Sequence, residues 1–145
     1  SWLLLINSRL PSETNYIFKP HPAYQIDLSP FKSLKLKLSN ASLSDLLKDC
    51  DIVFTSNITS AAVDAYCSGV PVLQMLDGNS LNVSPLRGLK GVEYICDHNE
   101  LLDSILNAFK YTQLASEPYF YLDNNLYRWL TLLGLDSNST YFKDQ

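Results

Sequence analysis

The amino-acid sequence predicts an α/β fold with a mostly parallel sheet and helices on both of its faces. Short runs of β-branched and aromatic residues alternate with segments of helical periodicity after residue 15, which is typical of such a sheet. One of these runs, residues 51–55, is apolar almost throughout, as in a strand buried on both faces. Length and composition agree with one domain, because 145 residues with 46% hydrophobic side chains can enclose a single core.

Five runs are expected to form strands. Four are predicted for the main parallel sheet, at residues 16–19, 51–55, 70–75 and 92–96. The fifth, residues 34–38, alternates strictly between leucine and lysine, which indicates an edge strand with one face in water. Residues 2–6 are apolar but too few to decide between a strand and the end of a helix.

Each expected helix begins at a residue whose side chain can accept a hydrogen bond from the first backbone N–H groups. These capping residues are Ser42 or Ser44, Thr59 or Ser60, Asp97 and Asp123. Gly69 stands just past the second helix and can adopt the left-handed conformation of a C-cap. Apolar residues at positions 126, 129, 130 and 133 share a face of the last helix. That helix lies in a C-terminal helical tail, residues 118–145, of a single domain covering residues 1–145.

The composition excludes several classes of function. A net charge of −4 gives no positive field for a phosphate backbone, so we expect no nucleic-acid partner. Three widely spaced cysteines and two histidines without a cluster of acids indicate neither a disulfide framework nor a metal site. The sequence also lacks the dinucleotide-binding, Walker A and serine-hydrolase motifs.

The turn after the first strand carries residues that suit a phosphate group. Lys19 and His21 follow this strand directly, and ligands of open parallel sheets bind at the carboxyl ends of strands. Pro20 and Pro22 fix the backbone of the turn, so the ammonium and imidazole groups are presented from a rigid support. A proline-stiffened turn with an exposed histidine explains the pattern equally well.

Ser56, Thr59 and Ser60 lie at the next strand-to-helix junction. Hydroxyl and backbone N–H groups at the start of a helix attract anions, and the helix dipole adds to this attraction. Simple capping of the helix is the alternative. Asp64 shares a helix face with Ser60 and could accept hydrogen bonds from a ribose diol or only complement the dipole. Arg87, in the long polar loop before the last strand, could pair with phosphate or be a solvated surface residue.

Four segments together resemble the C-terminal, nucleotide-sugar-binding domain of bacterial GT-B glycosyltransferases that make surface carbohydrates. They are Lys-Pro-His-Pro at 19–22, Cys-Asp-Ile-Val-Phe at 50–54, Thr-Ser-Ala-Ala-Val-Asp-Ala at 59–65 and Gly-Val-Pro-Val at 69–72. The His-Pro pair with a later Ser/Thr pair is similar to the motifs of bacterial sialyltransferases and polysialyltransferases. The resemblance implies a Rossmann-like fold, and contacts from His21, Thr59 and Ser60 to the phosphate and nucleotide of the donor.

The function that the resemblance implies is transfer of a sugar from a CMP-, CDP- or UDP-linked donor onto a surface glycan. His21 and Lys19 would then stabilise the departing phosphate. The nucleotide sugar is a substrate, so no cofactor is expected. The acceptor and any general base would belong to an N-terminal domain outside this chain, and we expect no turnover without that domain. We expect a cytoplasmic protein, and peripheral association with the inner face of the membrane stays open.

Two other functions remain as alternatives. One is half of a nucleotide-sugar epimerase of the same two-domain architecture, although such enzymes need further acidic residues and a basic cluster. The other is a non-catalytic interaction module, for example a receiver-like domain, although Thr55 and Ser56 stand where a receiver has an aspartate. Binding of a nucleotide distinguishes these alternatives from each other.

Overall fold

The structure is a computed structural model that describes residues 2–21, 23, 27–79, 81–107, 119–120 and 125–135. In chain order the helices and strands are α1 (Trp2–Ile6), β1 (Tyr16–Phe18), β2 (Leu36–Leu38), α2 (Leu43–Leu47), β3 (Val53–Ser56), α3 (Ser60–Cys67), β4 (Val72–Met75), β5 (Val92–Ile95), α4 (His98–Asn107) and α5 (Tyr127–Leu132). Single turns of 3₁₀ helix lie at Asn7–Arg9 and Ser29–Phe31. The ambiguous first segment is therefore a helix.

The strands pair in parallel, which confirms the expected α/β fold. They form two small sheets, one of β1 and β2 and one in the order β3-β4-β5. The sequence predicts β1 in the main sheet, but the three-residue strand makes its backbone bonds with β2. Tyr16 N–H donates to Lys35 O at 3.3 Å, and Ser39 N–H donates to Phe18 O at 3.0 Å.

Helices cover both faces of the three-stranded sheet, as expected. Adjacent residues of a strand point to opposite faces, and Val72 and Leu73 of β4 accordingly belong to different hydrophobic clusters. The cluster around Val72 takes its other members from α2, α3, the turn before β4 and the loop before β5, namely Leu47, Ala62, Ala65, Tyr66, Val70 and Leu86. The cluster around Leu73 takes its other members from α1, the segment that follows it, β5 and α4, namely Ile6, Leu10, Ile95, Leu101 and Leu102.

Local hydrogen bonds set the ends of the helices largely as the sequence predicts. Ser42 Oγ accepts from Asp45 N–H at 3.1 Å and caps α2, and Asp97 Oδ1 accepts from Asn99 N–H at 2.7 Å at the start of α4. Gly69 ends α3 with φ of +75°, a left-handed conformation in which its lack of a Cβ avoids strain.

The last helix, α5, begins later than the sequence predicts. Asp123 lies outside the described residues, and Leu126 occupies the capping position of α5 with φ of 55° and no side-chain hydrogen bond. Leu126, Trp129 and Leu133 are all more than half exposed, so three of the four side chains on the predicted apolar face lie largely in solvent, whereas Leu130 is half-buried. Helical periodicity predicted the helix, but periodicity alone carries no information about a packing partner.

None of the helices within the described ranges is long and apolar enough to cross a lipid bilayer.

Candidate functional site

The carboxyl ends of β3, β4 and β5 lie side by side at one edge of the three-stranded sheet. Ser56 is in register with Met75, and Met75 is in register with Ile95, so the three parallel strands end together. Helices α3 and α4 both begin just past this edge. We call it the carboxyl edge, and it is the place where open parallel sheets bind their ligands.

The start of α3 brings three of the predicted residues to the carboxyl edge. Thr59 is the N-cap, because its Oγ1 accepts from Ala61 N–H at 3.2 Å. A threonine hydroxyl that accepts one hydrogen bond still has its own proton to donate, so capping and contact with a ligand oxygen are compatible. Ser60 is the first helical residue, Ser56 ends β3, and both are exposed. The helix dipole adds partial positive charge at this point.

Asp64 lies one turn further along α3 than Ser60, as the helical spacing predicts, and it is exposed. Its backbone carbonyl accepts from both the N–H and the hydroxyl of Ser68, at 3.0 and 2.8 Å. Asp64 is therefore an exposed residue of α3, four positions beyond the residue with which the helix begins at the carboxyl edge.

A buried glutamine on the central strand connects β3 to the loop before β5. Gln74 is 0% exposed, and its Nε2 donates to Ser56 O at 3.3 Å. Its Oε1 accepts from the hydroxyl of Ser84, and Ser84 Oγ in turn accepts from Leu86 N–H at 3.1 Å. This chain of hydrogen bonds holds Ser84 and Leu86 of residues 81–89, a segment that we call the edge loop.

A second buried amide holds the edge loop at another point. Asn57, in the turn after β3, is 5% exposed and its Nδ2 donates to Leu81 O at 3.1 Å. Arg87 is exposed, and its backbone N–H donates to Ser84 O at 3.3 Å in a tight turn. The loop that carries Arg87 is thus attached to the strands that end beside Ser60.

Lys19 and His21 lie on the other sheet, in the turn after β1. Lys19 Nζ donates to Ala41 O at 2.7 Å, which joins the turns that follow β1 and β2. His21 is exposed, and its Nδ1 accepts from Ala23 N–H at 3.2 Å. In a neutral imidazole this geometry leaves the proton on Nε2, which is the nitrogen that could donate to a phosphate oxygen.

The structure thus groups the predicted residues in two sets. Five belong to the three-stranded sheet and its helix or loop, namely Ser56, Thr59, Ser60, Asp64 and Arg87, whereas Lys19 and His21 belong to the two-stranded sheet. Sequence reasoning missed Gln74 and Ser84. The one signal for Gln74 was an amide side chain inside the apolar run at residues 70–75.

Two further polar groups lie on β5 and just after it. Tyr94 is in register with Gln74, and its buried hydroxyl has no hydrogen-bond partner among the described residues. Asp97 starts α4, and hydrogen bonds from the backbone N–H groups of Glu100 and Asn99 hold the pKa of its carboxyl below the ordinary value. Within the described ranges, no three His, Cys, Asp or Glu side chains gather where they could hold a metal ion.

Fold and site together define an α/β domain with parallel strands and a polar carboxyl edge. Comparisons with known protein families, with curated proteins and with solved structures find no match for the chain.

Proposed function

We propose that this chain is the donor-binding half of a GT-B type glycosyltransferase of cell-surface polysaccharide biosynthesis. The observation that carries the proposal is the hydroxyl-bearing start of α3 at the carboxyl edge, next to a loop held there by two buried amides. Hydroxyl groups, helix N–H groups and a nearby arginine are the groups that proteins use for phosphate. The proposed ligand is the diphosphate or monophosphate of a CMP-, CDP- or UDP-linked sugar.

Each residue of the site has a distinct role under this proposal. Thr59 and Ser60 donate hydroxyl protons to phosphate oxygens, and Asp64 accepts hydrogen bonds from the ribose. Arg87 supplies a full positive charge that the helix dipole lacks. The acceptor sugar and a general base come from an N-terminal domain, so transfer requires both halves.

His21 and Lys19 would act on the charge that develops as the glycosidic bond breaks. The leaving nucleotide gains negative charge in the transition state, and donors aimed at that charge are a large term in such catalysis. Proton donation from His21 Nε2 and the ammonium of Lys19 both suit this task. The proposal requires the turn after β1 to reach the same ligand as the start of α3.

The exposed apolar residues of α5 favour a second candidate, a non-catalytic interaction module. Trp129 and Leu132 are among several large side chains of this helix that are more than half exposed. An interaction module would use such a surface without binding a nucleotide. Nucleotide binding therefore separates the two candidates.

A titration of the labelled protein with CMP, CDP and UDP, followed by amide chemical shifts, tests the proposal. We expect shifts concentrated near His21, Thr59, Ser60 and the edge loop. Ser60→Ala should weaken binding, because the variant removes an exposed hydroxyl and leaves the cap at Thr59 intact. Ser44→Ala is the matched control, since Ser44 is also an exposed serine in the first turn of a helix.

Shifts that are absent with every nucleotide at millimolar concentration would contradict the proposal and favour the interaction module. Equal weakening by Ser60→Ala and Ser44→Ala would also contradict it, because binding would then not depend on the start of α3.

A further inference from the structure

We infer that Asn57 and Gln74 are positioning residues that hold the edge loop in one conformation and so make the carboxyl edge a preformed binding site. This inference rests on the proposed function for the identity of the ligand. The hold on the loop itself is independent of any ligand. Neither residue touches the proposed ligand, and both act through the loop.

The position of Gln74 is the first argument. Gln74 lies between Leu73 and Met75 on the central strand and is 0% exposed. Burial of an amide without partners is unfavourable because the lost hydrogen bonds to water are not replaced, so an apolar side chain would serve the core better. The amide is tolerated there because both of its ends are bonded, one to the end of β3 and the other to the edge loop.

The second argument is that the loop is attached to the core at three points while other groups of the same loop are exposed. Asn57 bonds Leu81 O, Gln74 bonds the Ser84 hydroxyl, and the Leu86 side chain is fully buried in the cluster around Val72. Between and beside these points, the Leu81 side chain is 84% exposed and Val83 is 57% exposed. The backbone is therefore held from within while side chains of the same loop are directed outward.

The energetic consequence is that the loop needs no ordering when a ligand binds. Fixing the backbone of a flexible residue costs conformational entropy, and a loop ordered before binding avoids this loss. The two amides come from the ends of neighbouring strands, so the loop is fixed relative to the start of α3. Arg87 is then held at a constant position relative to Ser60.

Hydrogen exchange of the free protein is the first test. In Gln74→Met, backbone N–H groups of Ser84, Leu86 and Arg87 should exchange at least about 10-fold faster, while those of β4 and β5 keep their protection. Ser84→Ala removes the bond from the other side and should give the same pattern. It also serves as the second variant if Gln74→Met does not fold.

Nucleotide affinity is the second test, and a double variant separates positioning from stability. Gln74→Met/Ser84→Ala removes both side chains of one bond, so the losses in thermal midpoint of the two single variants should not add in the double variant. We expect affinity for CMP or UDP to stay reduced by about 10-fold, equivalent to about 1.4 kcal/mol, because the loop is still released. Ser84→Thr, which keeps the hydroxyl, should restore both exchange protection and affinity.

Unchanged loop exchange in folded Gln74→Met and Ser84→Ala would overturn the inference, since Gln74 would then serve only the core. If the amides of the edge loop exchange faster in these variants but nucleotide affinity is unchanged, the inference that the loop forms a preformed binding site is overturned. If the unaltered protein binds no nucleotide but the variants release the loop, the proposed function fails and the hold on the loop stands.

Discussion

The two turns that carry the predicted phosphate contacts are supported in different ways. The turn after β3 is supported by two buried amides. Asn57 donates to Leu81 O, and Gln74 donates to Ser56 O at the end of the strand. Lys19 and His21, in the turn after β1, are both exposed; Lys19 Nζ donates to Ala41 O in the turn after β2, and His21 Nδ1 accepts from Ala23 N–H. The turn after β3 is thus backed by buried side chains, whereas the functional side chains of the turn after β1 lie at the surface.

The sheets that precede the two turns also differ in how deeply their side chains are buried. Val72 and Leu73 of the three-stranded sheet are almost fully buried, whereas Ile17 and Leu38 of the two-stranded sheet are about half exposed, at 50% and 52%. A substitution near the first site should therefore change stability and binding together. A substitution near the second should change function with little effect on folding.

The largest effect should come from the residue that anchors the edge loop in the core. Leu86→Ala should lower the free energy of unfolding by about 2–5 kcal/mol, because a 0% exposed leucine leaves a cavity when truncated. Ile17→Ala, in the exposed β1, is the control and should cost about 1 kcal/mol or less. Urea unfolding of both variants measures the difference. Equal losses would show that the two sheets contribute alike to stability.

The second effect concerns turnover and the turn after β1. In the two-domain glycosyltransferase that we propose, His21→Ala should reduce transfer by about 100-fold or more, because a donor to the developing phosphate charge is lost. Stability should change by only about 0.5 kcal/mol, since the side chain is exposed. Turnover and thermal melting of one preparation test this pair of outcomes. A destabilised variant with normal turnover would assign His21 to the turn alone.

Local signals in the sequence account for the parts of the fold that were predicted. Caps at Ser42, Thr59 and Asp97 and the left-handed Gly69 each depend on a few neighbouring residues, so they can be recognised without the fold. The positions of the parallel strands follow in the same way from apolar runs.

Contacts between distant positions account for what sequence reasoning missed. The bond from Asn57 to Leu81 spans 24 residues and the bond from Ser84 to Gln74 spans 10, and neither has a local pattern. Pairing of β1 with β2 likewise depends on which strands meet in space. The exposed face of α5 has the periodicity of a buried helix, so the pattern predicts the helix but not its surroundings.

The smallest effect is a difference in acid sensitivity between two exposed aspartates. Backbone N–H groups of Glu100 and Asn99 hold the pKa of Asp97 below its ordinary value of 3.8. The backbone N–H of Ser29, and then its hydroxyl, do the same for the pKa of Asp27. Ionised carboxylates with a lowered pKa stabilise the fold above the ordinary value, and this stabilisation is lost as the pH falls through the lowered value.

Asp97 and Asp27 should nevertheless affect unfolding differently, because Asp97 starts a helix whose Leu101 is buried in the core and Asp27 closes one exposed 3₁₀ turn. When a turn can open without unfolding of the whole protein, protonation of its carboxylate does not change the free energy of global unfolding. Asp97→Asn keeps a capping oxygen but does not titrate, so its stability difference from the unaltered protein should change below about pH 3.8. The corresponding difference for Asp27→Asn should stay constant. Thermal midpoints of both variants and of the unaltered protein, measured from neutral pH into the acid range, test this prediction. If the difference from the unaltered protein changes with pH equally in both variants, the two aspartates do not differ in their coupling to global unfolding.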